Sequence, residues 1–159
     1  MIHQYHPACC CLIPVTAAAK GLEGAKEYVK LSFFGNIYNG RVGEPEVTPD
    51  GVLVVASLAD MMAYKLKVIL QRIEAKDYRD IAAMIINGMA LDEGLAGSRA
   101  LFGKTFQPSE SLKALVYFEG GDLDTLSAIE RAVLVSAVKT VKIIPHCSIR
   151  SQWLVDPIM

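Results

Sequence analysis

The sequence has no excess charge of either sign, no long uncharged apolar run, no internal repeat and few aromatic residues. Its 159 residues hold 16 Lys+Arg against 17 Asp+Glu, a formal net charge of −1. No global field therefore draws in or repels nucleic acid, and any basic footprint must be local. No uncharged apolar run reaches the roughly 18 residues that a membrane-spanning helix needs; the longest candidate is Pro7 to Ala19. That stretch ends in Ala17-Ala18-Ala19, small enough for signal cleavage, but no Lys or Arg precedes it and Pro7 and Pro14 interrupt it, which argues against export. Of four cysteines, Cys9, Cys10 and Cys11 are adjacent and cannot easily pair with one another, so a reduced, cytoplasmic setting is expected. Aromatics make up 8% of the chain; Phe102, Phe106, Tyr117 and Phe118 stand at helical or loop spacings that suit core packing rather than a stacking platform for bases.

What the chain does have is apolar material. With 52% hydrophobic and 21% charged residues it has enough for one compact domain, is too short for two large ones, and is not disordered throughout. His3, His6 and Cys9 are spaced three apart, as zinc ligands can be. The only further His and Cys pair is His146-Cys147, close to the other end of the chain, and no metal ligand is expected.

Residues 1–28 form a small-residue lead-in, and residues 29–159 read as a single domain. Val29 to Phe34 alternates like a half-buried strand, turn residues fill Gly35 to Asp50, and Val52 to Ala56 forms a second strand. Ser57 is placed to cap a helix running to about Ile73, with Asp60 at its third position to complement the exposed amides. Further helices are predicted at Asp77–Asn87 with Gly88 as the stop, Asp92–Phe102 with Gly103 as the stop, and Ser109–Phe118 before Gly120-Gly121. The last begins at Ser127, whose partner Glu130 completes a capping box, and ends before Pro145. A short strand pair followed by about five helices is an α+β order.

On a helical wheel of the first helix, Leu58, Met61, Met62, Leu66, Ile69 and Ile73 form an apolar stripe, with Asp60, Lys67, Gln71 and Glu74 opposite. Lys65 and Arg72 fall inside the stripe, and burying two cations without anions is costly. The nearest anions are Asp77 and Asp80, in Lys76-Asp77-Tyr78-Arg79-Asp80. Two accounts follow. The cations snorkel at the stripe edge or pair structurally with Asp77 as it caps the second helix. Alternatively, Lys65 and Arg72 face a phosphate-bearing ligand in a cleft, with Asp77 or Asp80 orienting them, binding a metal or activating a hydroxyl.

The run Val55-Ala56-Ser57-Leu58-Ala59-Asp60-Met61-Met62-Ala63-Tyr64-Lys65-Leu66, continued by Arg72 and Lys76-Asp77-Tyr78-Arg79-Asp80-Ile81, resembles the downstream core motif of the AbiEii/AbiGii toxin-type nucleotidyltransferases. The similarity extends from about Val29 to the C-terminus. It implies part of a polymerase-beta-like nucleotidyltransferase fold with a helical extension. Such enzymes transfer a nucleotide from a triphosphate with divalent metal, in several cases onto transfer RNA, as toxins of toxin–antitoxin or phage-defence pairs. By position, Lys65, Asp77 and Asp80 resemble the family's catalytic residues, and Lys65, Arg72 and Lys76 its phosphate-facing ones.

The chain departs from the family in lacking the upstream Gly-Ser and Asp-x-Asp that hold the metals. Gly120-Gly121-Asp122-Leu123-Asp124 lies too far downstream and reads as a loop in which Asp122 or Asp124 caps locally; Gly97-Ser98 reads as a close helix contact. Lys139, Lys142 and Arg150 read as a solvated face. The resemblance therefore implies a C-terminal portion, from a shortened gene or a late start, that is inactive alone. It would use Mg2+ and a nucleoside triphosphate only if another chain supplied the missing half-site. The implied partners are an antitoxin protein, a transfer RNA or protein acceptor, and a second copy through an exposed sheet edge, but no membrane. The alternative is a non-catalytic interaction module.

Overall fold

The computed structural model describes residues 9–14 and 28–33, as backbone, and residues 40–153. The chain divides into two units, Met1–Ile37 and Tyr38–Met159. The first contains an antiparallel pair, β1 (Cys9–Pro14) and β2 (Tyr28–Phe33), in a register that sets Cys9 opposite Phe33 and Pro14 opposite Tyr28. The expected strand near Val29 thus pairs backward in sequence, with a segment read as lead-in. Pro14 is compatible with that strand because it stands at its end.

The second unit opens with a hairpin of β3 (Glu46–Val47) and β4 (Val54–Val55). Its turn is closed by Thr48 N–H to Leu53 O at 2.9 Å and Gly51 N–H to Thr48 O at 2.8 Å, with Gly51 at φ +71°. The predicted strand Val52–Ala56 contracts to two residues, and Val47, Val52, Leu53, Val54 and Val55 remain 41–73% exposed.

Among the described residues five α-helices follow: α1 (Leu58–Val68), α2 (Ala75–Ile86), α3 (Leu91–Phe102), α4 (Pro108–Ala114) and α5 (Ala128–Thr140). The architecture is α+β and mostly helical. No described helix is long and apolar enough to cross a membrane. Local signals act as expected at most ends. Ser57 Oγ accepts from Asp60 N–H at 3.1 Å, and Ser127 and Glu130 form the reciprocal capping box. Gly88 (φ +93°) and Gly103 (φ +51°) follow α2 and α3 in a conformation that side chains other than glycine's rarely adopt.

Two helices stop early. α1 gives way after Val68 to a turn in which Leu70 and Gln71 bond to Lys67 O and Val68 O, so Arg72 lies beyond it. α4 ends at Ala114 rather than Phe118, which leaves Tyr117 59% exposed, outside the core expected for it.

α1 packs on α3 and α2, and α2 on α5. Met62, Leu66, Ile81, Leu95, Leu115 and Leu134 form the fully buried centre, with Tyr78 and Phe106 beside them. The α1–α3 approach is close because Gly94 lacks a Cβ, which would stand 2.3 Å from Met62 Cγ. Buried Ser98 donates to Ala63 O at 3.0 Å and to Gly94 O at 2.9 Å, so Gly97-Ser98 is a helix-packing element as expected. Ser111 likewise donates to Leu66 O at 2.9 Å.

Candidate functional site

The apolar face of α1 is rotated from the stripe read on the wheel. Met62, Ala63, Leu66 and Ile69 are buried, whereas Leu58, Met61 and Ile73 are 42–49% exposed. This rotation moves Lys65 from inside the stripe to its edge, where its side chain keeps 23% of its surface exposed. Arg72, carried by the turn after α1, is 46% exposed. The two cations are therefore not buried in the core.

Both turn onto Asp77, whose side chain has no exposed surface. Lys65 Nζ donates to Asp77 Oδ1 at 2.8 Å, and Arg72 donates through Nε to Oδ2 at 2.8 Å and through Nη2 to Oδ1 at 3.2 Å. Lys65 also donates to Asp80 Oδ2. Asp77 stands in the first turn of α2, where the helix dipole adds to the attraction. Burial pushes its carboxyl pKa up, but hydrogen bonds from Arg72 and Lys65, with their charges, hold it below the ordinary carboxylate value. Burial pulls Lys65 down, and its bonds to Asp77 and Asp80 outweigh this and raise it. Lys76 turns to Glu74, 2.6 Å away, and Glu74 lies 3.7 Å from Arg72 Nε. The structure thus brings Lys65, Arg72, Asp77 and Asp80 together and places Lys76 at the margin. Three cations meet three carboxylates.

The cap of α2 is not Asp77. The Ala75 N–H is accepted by Asp122 Oδ1 at 2.6 Å, from 47 residues away. Asp122 was expected to cap locally; instead Gly120 (φ +94°) and Gly121 (φ +55°) turn the loop back onto α2. Gly121 lies so close to Ile73 that a Cβ would stand 2.2 Å from its carbonyl oxygen. Arg150, whose side chain is 58% exposed, pairs at the surface with Glu44 at 3.1 Å.

A second carboxylate, read from the sequence only as a first-turn complement to the amides of α1, has longer-range partners. Asp60, placed on the solvent side of the wheel, is 1% exposed. Its Oδ1 accepts from Val42 N–H at 2.7 Å, and its Oδ2 accepts from Ser57 Oγ at 2.6 Å and from Gly43 N–H at 3.3 Å. Gly43 fits only without a side chain, because a Cβ would lie 1.9 Å from Ser57 Oγ. The described donors are amides and a hydroxyl, so Asp60 anchors residues 42–43 to the start of α1. Near it, burial and then the Asp60 charge push the Cys147 thiol up, against the pull of Arg150. An Asp three residues after its Ser cap was the available sequence signal, but its backbone partners are 17 and 18 residues upstream.

Among the described residues no group of three or more His, Cys, Asp or Glu side chains is arranged to hold a metal. His3, His6 and the side chain of Cys9 lie outside the described residues. No family model matches the chain, and neither a curated protein nor a solved structure matches it.

Proposed function

We propose that these 159 residues correspond to the C-terminal portion of a toxin-type nucleotidyltransferase, hold no Gly-Ser and Asp-x-Asp element among them, are inactive by themselves, and serve as an interaction module for an antitoxin protein or partner subunit. The resemblance across Val55–Leu66 and Arg72–Ile81 supports the descent. The observation that carries the loss of catalysis is the saturation of Asp77 by Lys65 and Arg72. A cluster meant for a polyphosphate keeps an excess of positive charge for it, and this one is balanced by its own carboxylates. The exposed valines of the β3–β4 hairpin support the docking role, because a two-stranded hairpin with bare apolar side chains is stabilised by covering it.

The second reading, a half-site completed by another chain with Mg2+ and a nucleoside triphosphate, is favoured by Asp80, which is half-exposed and shares Lys65. In it Lys65 and Arg72 would exchange Asp77 for phosphate, and transfer RNA or a protein would accept the nucleotide. Incubation of the chain with radiolabelled nucleoside triphosphates, Mg2+ and bulk transfer RNA tests the choice. The expected result is no labelling and no triphosphate binding. Labelling that disappears in Lys65→Ala would overturn the non-catalytic reading.

A further inference from the structure

Between the turn after α1 and helix α4 lies an open hollow of about 620 Å3, within the size range of small-molecule sites. Ile73, Ala114 and Val116 are among the apolar residues lining it, and Arg72, Lys113, Tyr117, Gln71 and the carboxylate of Glu110 bring polar groups to the same space. Ile73, Val116 and Tyr117 are all substantially exposed. Water therefore wets an apolar surface that an apolar body would dry.

The polar groups are unequal in what they have left to offer. Arg72 gives Nε and Nη2 to Asp77, which fixes the guanidinium and leaves Nη1 without a partner among the described residues. A guanidinium immobilised by a buried carboxylate loses little further freedom on meeting an anion. Lys113 is 74% exposed and among the described residues pairs with Glu110 one helical turn away, an exposed ion pair of the kind that exchanges readily for a ligand. Tyr117 donates its hydroxyl to Glu119, which leaves the ring as apolar wall.

The geometry points to a binding site for a small organic anion. Its hydrocarbon or aromatic body would rest against Ile73, Ala114, Val116 and the Tyr117 ring, with its carboxylate or phosphate head met by Arg72 and Lys113. This site shares Arg72 with the Asp77 cluster, but it uses the guanidinium while that residue stays on Asp77 and does not depend on the proposed function.

Titration with anilinonaphthalene sulfonate, an apolar ring system carrying one anionic group, tests the site by fluorescence. Octanoate, octyl phosphate and octanol then serve as competitors that share a body and differ in the head. Saturable binding of the dye is expected, with displacement by at least one of the two anions about tenfold better than by octanol. The stronger anion identifies the head group. Lys113→Glu and Val116→Glu, both at exposed positions outside the core, should weaken dye binding by about tenfold or more with unchanged unfolding midpoints, and Lys113→Arg should retain it. Unsaturable dye binding, equal displacement by octanol, or full dye affinity in both glutamate variants would overturn the proposal.

Discussion

The Nζ of Lys65 stands 2.8 Å from Oδ1 of Asp77, a carboxylate 12 residues further along the chain with no exposed side-chain surface. This contact ties α1 to the first turn of α2, and Arg72 closes the same carboxylate from the intervening turn. The positive charges that attract attention in the sequence are thus spent largely on holding two helices together.

Removing the charge of Asp77 should be far more damaging than removing that of Asp80. Asp77→Asn leaves Lys65 and Arg72 facing a neutral buried group and should cost about 3 kcal/mol. Asp80 is half-exposed, and Asp80→Asn should cost at most about 1 kcal/mol. Urea unfolding of the two variants beside the parent measures both; equal losses would contradict the burial argument.

The same carboxylate sets an acid limit. Its folded pKa lies below the ordinary value, so its contribution is fully present above the unfolded pKa of about 3.9 and disappears as pH falls through the folded pKa. The stability difference between the parent and Asp77→Asn should therefore be flat near neutrality and shrink below about pH 4. Lys65 is shifted the other way, so its contribution is complete below its unfolded pKa of about 10.4 and falls only at higher pH. Unfolding curves across pH, compared between the two proteins, give both arms.

Asp122 is a helix cap delivered from a distant loop. Asp122→Ala removes the acceptor for the Ala75 N–H and should cost about 1 kcal/mol. Amide exchange should locate the effect, with protection lost first at the start of α2. Uniform loss across all helices would indicate a different role.

Three glycines should rank by what surrounds them. A Cβ at Gly97 meets Val42 Cγ2 at 3.3 Å, and a small shift of that side chain accommodates it. The helix-propensity gain then leaves Gly97→Ala within about 1 kcal/mol of the parent. At Gly94 the obstacle is buried Met62, at 2.3 Å, which has to repack. At Gly121 it is backbone, the Ile73 carbonyl, in a left-handed conformation. Gly121→Ala should lose more than about 1 kcal/mol. Thermal unfolding of the three variants should give Gly97→Ala the smallest loss.

Much of this molecule follows from its sequence because much of it is local. Ser57 and the Ser127-Glu130 pair start α1 and α5, and Gly88 and Gly103 follow the ends of α2 and α3, through contacts within one turn. Lys65, Arg72, Asp77 and Asp80 were also legible as a group, since unpaired cations beside a helix core need nearby anions. Tertiary packing decided the rest. It rotated α1 about its axis, because residues 42–43 cover Asp60 on what the wheel gave as the polar face. It paired β2 with β1 and brought Asp122 to α2. Each of these depends on partners far apart along the chain, and local periodicity carries no information about which distant amide or carboxylate will arrive.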